Sequence, residues 1–172
     1  MAGLGHAMMT IGDMPTLPAI YALYAGRGGN GRCAYVGKTK NLRARILQHL
    51  VRRDSSITTG VSAVGLKPEF VTEVRWWADR QFEDAAALGG AELVAFDVLE
   101  PDLRSRGKNS KGATSRYRDK IFKRAMTRLL NHPTGTVRLA DMETRLKEVL
   151  DRVSKLERRM ETLESRQRSQ RK

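Results

Sequence analysis

Six side chains in the first part of the sequence are of the types that could together cut a phosphodiester: the phenols of Tyr21 and Tyr35, the ammonium of Lys38, the guanidinium of Arg45, the imidazole of His49 and the carboxylate of Glu92. Such hydrolysis needs a base to activate water, cations to stabilise the charge gathering on the phosphorane, and a metal at the attacking or leaving oxygen. Phenols, imidazole and cations suit the first two tasks. Glu92 suits the third. At about 100° per residue it falls in the middle of the apolar stripe of Leu88, Ala95, Phe96 and Leu99, where a lone charge is expensive, so a metal or a cation is expected beside it. A structural ion pair with Arg75 or Arg80 is the plainer alternative. Cys33 is the single cysteine, and His6, His49 and His132 are scattered. A cysteine zinc cluster is excluded, and the expected ion is hard and oxygen-liganded, Mg²⁺ or Mn²⁺.

These groups need elements to hold them. Ile20 to Tyr24 and Cys33 to Val36 are β-branched and aromatic, and the Gly-rich stretch 26–31 between them reads as the loose loop of a β-hairpin. Alternation puts Tyr21 with Leu23, and Tyr35 with Gly37, on one face each, so a hairpin in suitable register brings the phenols together. Asn41 offers a helix cap, and Leu42, Ile46 and Leu50 recur at helical spacing, which sets Arg45 and His49 one turn apart at the margin of that stripe. Val71 to Ala78 reads as a third strand. Phe82 to Leu99 reads as a second helix, weakened at Gly89 and Gly90 and stopped by Pro101. The expected class is α+β, a small domain with a central antiparallel sheet flanked by helices.

Ala19-Ile20-Tyr21, followed by Tyr35-Val36-Gly37 and then Lys38-Thr39-Lys40-Asn41-Leu42-Arg43-Ala44-Arg45, resembles the signature of the GIY-YIG nucleases, with Ala19 in place of the first glycine. The resemblance runs from about Ala19 to Asn109 and is closest to restriction-type members through Arg45 and His49. It implies an endonuclease in which Tyr21 is the general base, Arg45 clamps the scissile phosphate and Lys38 orients water or phosphate. A phenol ordinarily titrates near pH 10, so Tyr21 would need help from Lys38, the metal or His49. The resemblance also implies Glu92 as metal ligand, on a helix that ends at a proline, and Asn109 as the asparagine that follows, with residues 103–108 intervening.

A formal charge of +13 suits a polyanionic partner. Between Pro101 and Asn131 ten Lys and Arg stand against Asp102 and Asp119, and Ser115 to Leu130 reads as one helix. Lys40, Arg43, Arg104, Arg106, Lys108, Asn109, Arg116, Arg118, Lys120, Lys123 and Arg124 are the expected contacts to DNA phosphates. No apolar run spans a bilayer and no basic region followed by an apolar stretch opens the chain, so a soluble cytoplasmic protein without membrane contact is expected.

From Leu139 onward a heptad repeat runs through Met142, Leu146, Val149, Val153, Leu156, Met160 and Leu163. With Leu139 at a, every g position is arginine (Arg145, Arg152, Arg159, Arg166) and the e positions include Glu143, Glu157 and Glu164. A parallel pair opposes g to e and matches these charges, so a parallel homodimer is expected, with a trimer as the alternative. The expected organisation is a mobile lead-in (1–18), a nuclease-like domain (19–133), a coiled coil (137–166) and a basic tail (167–172). Two rival functions stay open: a non-catalytic DNA-binding module on the same fold, and a coiled-coil adaptor with a docking head.

Overall fold

A computed structural model describes residues 11–26, 31–52, 68–104, 110–139, 155–156 and 158–160. The chain divides into two compact units, Met1–Leu139 and Ala140–Lys172.

The first unit is built on β1 (Ala19–Ala25), β2 (Arg32–Thr39) and α1 (Leu42–Leu47), then β3 (Val71–Trp77) and α2 (Ala85–Leu99). A short β4 (Leu103–Arg104), α3 (Lys111–Arg118), α4 (Lys120–Leu130) and β5 (Gly135–Arg138) complete it. The class is α+β, as expected. The five strands run in the order β4-β2-β1-β3-β5. The sheet is mixed and not wholly antiparallel, because β4 joins β2 in parallel.

β1 is covered on both sides. Tyr21 and Leu23 pack with Leu42 and Ile46 of α1 and with Val74 and Trp76. Ile20, Ala22 and Tyr24 pack with Trp77 and with apolar residues of α2 and α4. A sheet buried on both faces has no polar alternation to show, and the apolar run of β1 agrees with that.

Several expectations change. Ile11 and Leu17 of the lead-in pack on the core and Met14 is buried within it. The carbonyls of Pro15 and Leu17 accept from Arg43 and Leu42, so residues 11–18 dock the first turn of α1, whose own cap is Asn41 accepting from Ala44. α2 runs unbroken through Gly89 and Gly90. The glycines serve packing: a Cβ at 89 would stand 2.7 Å from that of Ala113, and one at 90 would stand 2.7 Å from that of Arg116, so α3 lies directly against the backbone of α2.

The helix expected over 115–130 is two helices. Asp119 ends α3 and begins α4, its carboxylate accepting from Ile121 and Phe122. The domain does not close at 133 either. β5 pairs with β3, with Val137 opposite Val74 and buried, and Leu139 donates to Thr72 and packs on the core. The coiled-coil boundary expected at 137 therefore falls inside the sheet, and Leu139 belongs to the globular unit.

In the second unit, residues 155–156 and 158–160 are helical. The remaining heptad positions lie outside the described residues, as do Arg106, Lys108 and Asn109. Among the described residues no helix is long and apolar enough to cross a membrane.

Candidate active site

The hairpin register sets Tyr21 opposite Gly37 and Leu23 opposite Tyr35, so the two phenols are diagonal neighbours on one face. Their ring centroids lie 6.0 Å apart. Gly37 makes this possible: a Cβ there would meet the Tyr21 hydroxyl at 2.6 Å and the Tyr35 ring at 2.8 Å. Two aromatic rings occupy the space of one absent side chain.

α1 closes the cluster. After Leu47 the backbone widens into a π turn over Gln48–Arg52, a distortion often found at functional sites. His49 lies in this turn and is only 1% exposed. Its ring centroid is 5.6 Å from that of Tyr21 and 5.7 Å from that of Tyr35. Nε2 of His49 is 2.6 Å from the Tyr21 oxygen, and Arg45 Nε donates to that oxygen over 3.4 Å. The direction of the Tyr21–His49 bond follows the imidazole tautomer: with Nε2 unprotonated, the phenol donates its proton to it.

Burial governs the titration of this group. It raises Tyr21 well above the ordinary phenol value, the neighbouring Tyr35 adds to this, and Arg45 opposes it. Tyr35 is raised too, by burial, with the Tyr21 hydrogen bond and Arg45 opposing and the negative charge of Glu92 adding a smaller push. Burial and the adjacent Arg45 charge push His49 down to about 3. Arg45 itself is raised: burial works against its charge, but the phenols outweigh that.

Lys38 and Glu92 start from the other face of the sheet. Glu92 lies on α2, 2% exposed, and its Oε2 accepts from Lys38 Nζ at 2.7 Å. Among the described residues Lys38 is the cation paired with Glu92, in place of the expected Arg75 or Arg80. Arg75 instead pairs with Glu73 and stacks on Tyr24. Four of the six side chains singled out in the sequence, Tyr21, Tyr35, Arg45 and His49, thus come together on one face of the sheet, and Lys38 and Glu92 form a separate pair on the other. Among the described residues no group of three or more His, Cys, Asp or Glu stands in metal-binding range of one another.

One site residue was missed. Gln48 accepts from Arg45 Nη1 at 2.6 Å and fixes the guanidinium plane. Its signal was the three-residue spacing from Arg45, which places neighbours on one helix face.

The expected DNA contacts divide. Arg43 donates to the Met14 carbonyl at 2.6 Å and anchors the lead-in. Arg104 lies over the Phe96 ring at 5.6 Å. Arg116 stands 3.7 Å from Asp84. Lys123 donates to Asp97 at 2.7 Å and lies over the Tyr117 ring. Lys40, Arg118, Lys120 and Arg124 are exposed.

No family model matches the chain, and neither a curated protein nor a solved structure is similar enough to count as a match. The GIY-YIG resemblance therefore rests on the quoted residues alone.

Proposed function

We propose that the chain is a cytoplasmic, divalent-metal-dependent endonuclease of GIY-YIG type that hydrolyses phosphodiester bonds of double-stranded DNA. The observation that supports this most is the cluster of Tyr21, Tyr35, Arg45 and His49.

A single, nearly dry carboxylate fits Mg²⁺ or Mn²⁺, since Mg²⁺ keeps several waters and is commonly held by one or two carboxylates together with substrate phosphate oxygens. Glu92 would hold the ion, which when bound supplies Lewis-acid stabilisation of charge on the phosphorane. Lys38, relieved of Glu92, then faces the substrate as a cation, and Arg45, braced by Gln48, clamps the phosphate.

Burial disfavours a free Tyr21 phenolate, so the base is the Tyr21–His49 pair. Water attacks phosphorus and gives its proton to the Tyr21 oxygen while the phenol proton crosses to His49 Nε2, 2.6 Å away. The bond from phosphorus to the leaving oxygen breaks, and that oxygen takes a proton from solvent. The imidazolium formed beside Arg45 is unfavourable in the empty site and is balanced only while the phosphorane carries its extra negative charge. The proton then returns to solvent.

Plasmid incubated with Mg²⁺ is expected to be nicked or linearised. Tyr21→Phe keeps the ring and removes the oxygen, so it should slow cutting by about 10²- to 10⁴-fold, with a thermal midpoint lowered by the loss of the buried bond to His49 but a fold still intact at the assay temperature. Wild-type rates from the phenylalanine variant would remove Tyr21 from the chemistry.

A non-catalytic DNA binder is the second reading, favoured by the lack of a three-donor metal cluster among the described residues. It expects salt-dependent binding and intact plasmid with every divalent ion tried.

We further propose that the second unit pairs as a parallel coiled coil, with a dimer preferred over a trimer. Leu156 and Met160, 59% and 61% exposed and four residues apart, lie on one helix side, as d and a positions must. A chain ending at Leu139 keeps β5 whole and is expected to be monomeric by light scattering. An unchanged oligomeric mass would locate self-association in the globular unit.

A further inference from the structure

α4 divides its surface between apolar residues that dock and cations that do not. Phe122, Met126 and Leu130 are buried against α2, whereas Lys120, Ile121, Arg124, Ala125 and Arg128 are exposed. Lys120, Arg124 and Arg128 recur every four residues and so form one row, about 12 Å long at 1.5 Å per residue. None of the three has an ion-pair partner among the described residues. Together with Lys123 and Thr127 they line one open surface depression. Ile121, 80% exposed, and Ala125 lie beside the row.

The neighbouring cations have another occupation. Lys123 is tied to Asp97 and Tyr117, joining α4 to α2 and α3, and Arg116 pairs with Asp84. The exposed row thus holds positive charge that no carboxylate among the described residues pairs with, with low apolar surface alongside. A phosphate backbone is the partner with regularly spaced anions and apolar sugar faces between them.

We propose that the exposed face of α4 is a track for the backbone of double-stranded DNA, with Lys120, Arg124 and Arg128 as phosphate contacts and with Arg116 and Lys123 as structural residues. The choice of DNA rests on the nuclease reading; the location of the track does not. α4 packs on α2, which packs on the sheet, so the track lies on the opposite side of the sheet from α1 and Arg45.

The test is binding of the full-length chain to a short fluorescent duplex in EDTA, across a series of salt concentrations. Each phosphate contact contributes about 0.9 to the slope of log K against log salt, so Lys120→Ala/Arg124→Ala/Arg128→Ala should lower that slope by about 2 to 3 and weaken binding at least ~10-fold at moderate salt. Arg116→Ala/Lys123→Ala should keep the wild-type slope and lower only the thermal midpoint. A triple variant with the wild-type slope, or a double variant that loses as much slope as the triple, overturns the track. Tighter binding to single-stranded RNA than to duplex overturns the partner. The two readings fail separately. A wild-type chain that binds through α4 and never cuts defeats the nuclease and leaves the track, while a triple variant that cuts with unaltered salt dependence does the reverse.

Discussion

Glu92→Gln is expected to leave plasmid uncut, with a loss of at least about 10³-fold in rate at saturating Mg²⁺. The substitution keeps the size of the side chain and one acceptor oxygen, while it removes the charge and turns the second acceptor into a donor. Two functions go together: the carboxylate that would hold the ion, and the counter-charge that positions Lys38. Binding of Mn²⁺, followed by calorimetry or electron paramagnetic resonance, should disappear as well, which separates a lost ligand from a damaged fold. Breaking a fully buried pair commonly costs several kcal/mol, but the Lys38 side chain is 34% exposed and can reach water. A stability loss of only ~1–2 kcal/mol is therefore expected. Cleavage by the glutamine variant at the wild-type rate would remove Glu92 from the chemistry.

Acid should weaken the globular unit through His49. Its folded-state pKa is depressed from 6.5 to about 3, so the folded form binds fewer protons than the unfolded form within that window. The stabilisation is fully present above pH 6.5 and is lost as pH falls toward 3. At ~1.4 kcal/mol per pKa unit the whole effect is several kcal/mol, enough to dominate the acid limb of a small domain. Chemical denaturation at a series of pH values should show stability falling steadily below pH 6.5. His49→Gln presents an oxygen near the place of Nε2, and its curve should flatten over the same window. A wild-type curve that is level from pH 6.5 to 4, or a glutamine variant that keeps the wild-type slope, would show that His49 is not buried neutral. The same depression means the pH–rate profile should show no limb near 6.5.

The hairpin and β3 were legible from their β-branched and aromatic residues and the Gly-rich loop, α1 and the helix carrying Glu92 from apolar residues at helical spacing, and the Asn41 cap from its position. What stayed hidden was decided by packing. β4 and β5 are two and four residues long, too short for a period to show. Leu139 stands at zipper spacing from Met142, but β3 offers it and Val137 hydrogen bonds and a buried face. Asp119 interrupts a helical run without Gly or Pro, using a carboxylate to cap the helix that follows. Gly89-Gly90 looked like a break until α3 occupied the space that side chains would fill. In the site, the residue types were readable but their partners were not. The opposition of Tyr21 to Gly37 depends on strand register, and the choice of Lys38 for Glu92 depends on how α2 lies on the sheet.

Gly37 lies in an ordinary strand, outside the left-handed conformations that call for glycine. Its lack of a side chain is the imprint of Tyr21 and Tyr35 leaning over it. The three positions are thus one unit of inheritance. In any descendant that trades both aromatic rings for smaller residues, position 37 becomes free to vary, whereas one that keeps them must keep the glycine.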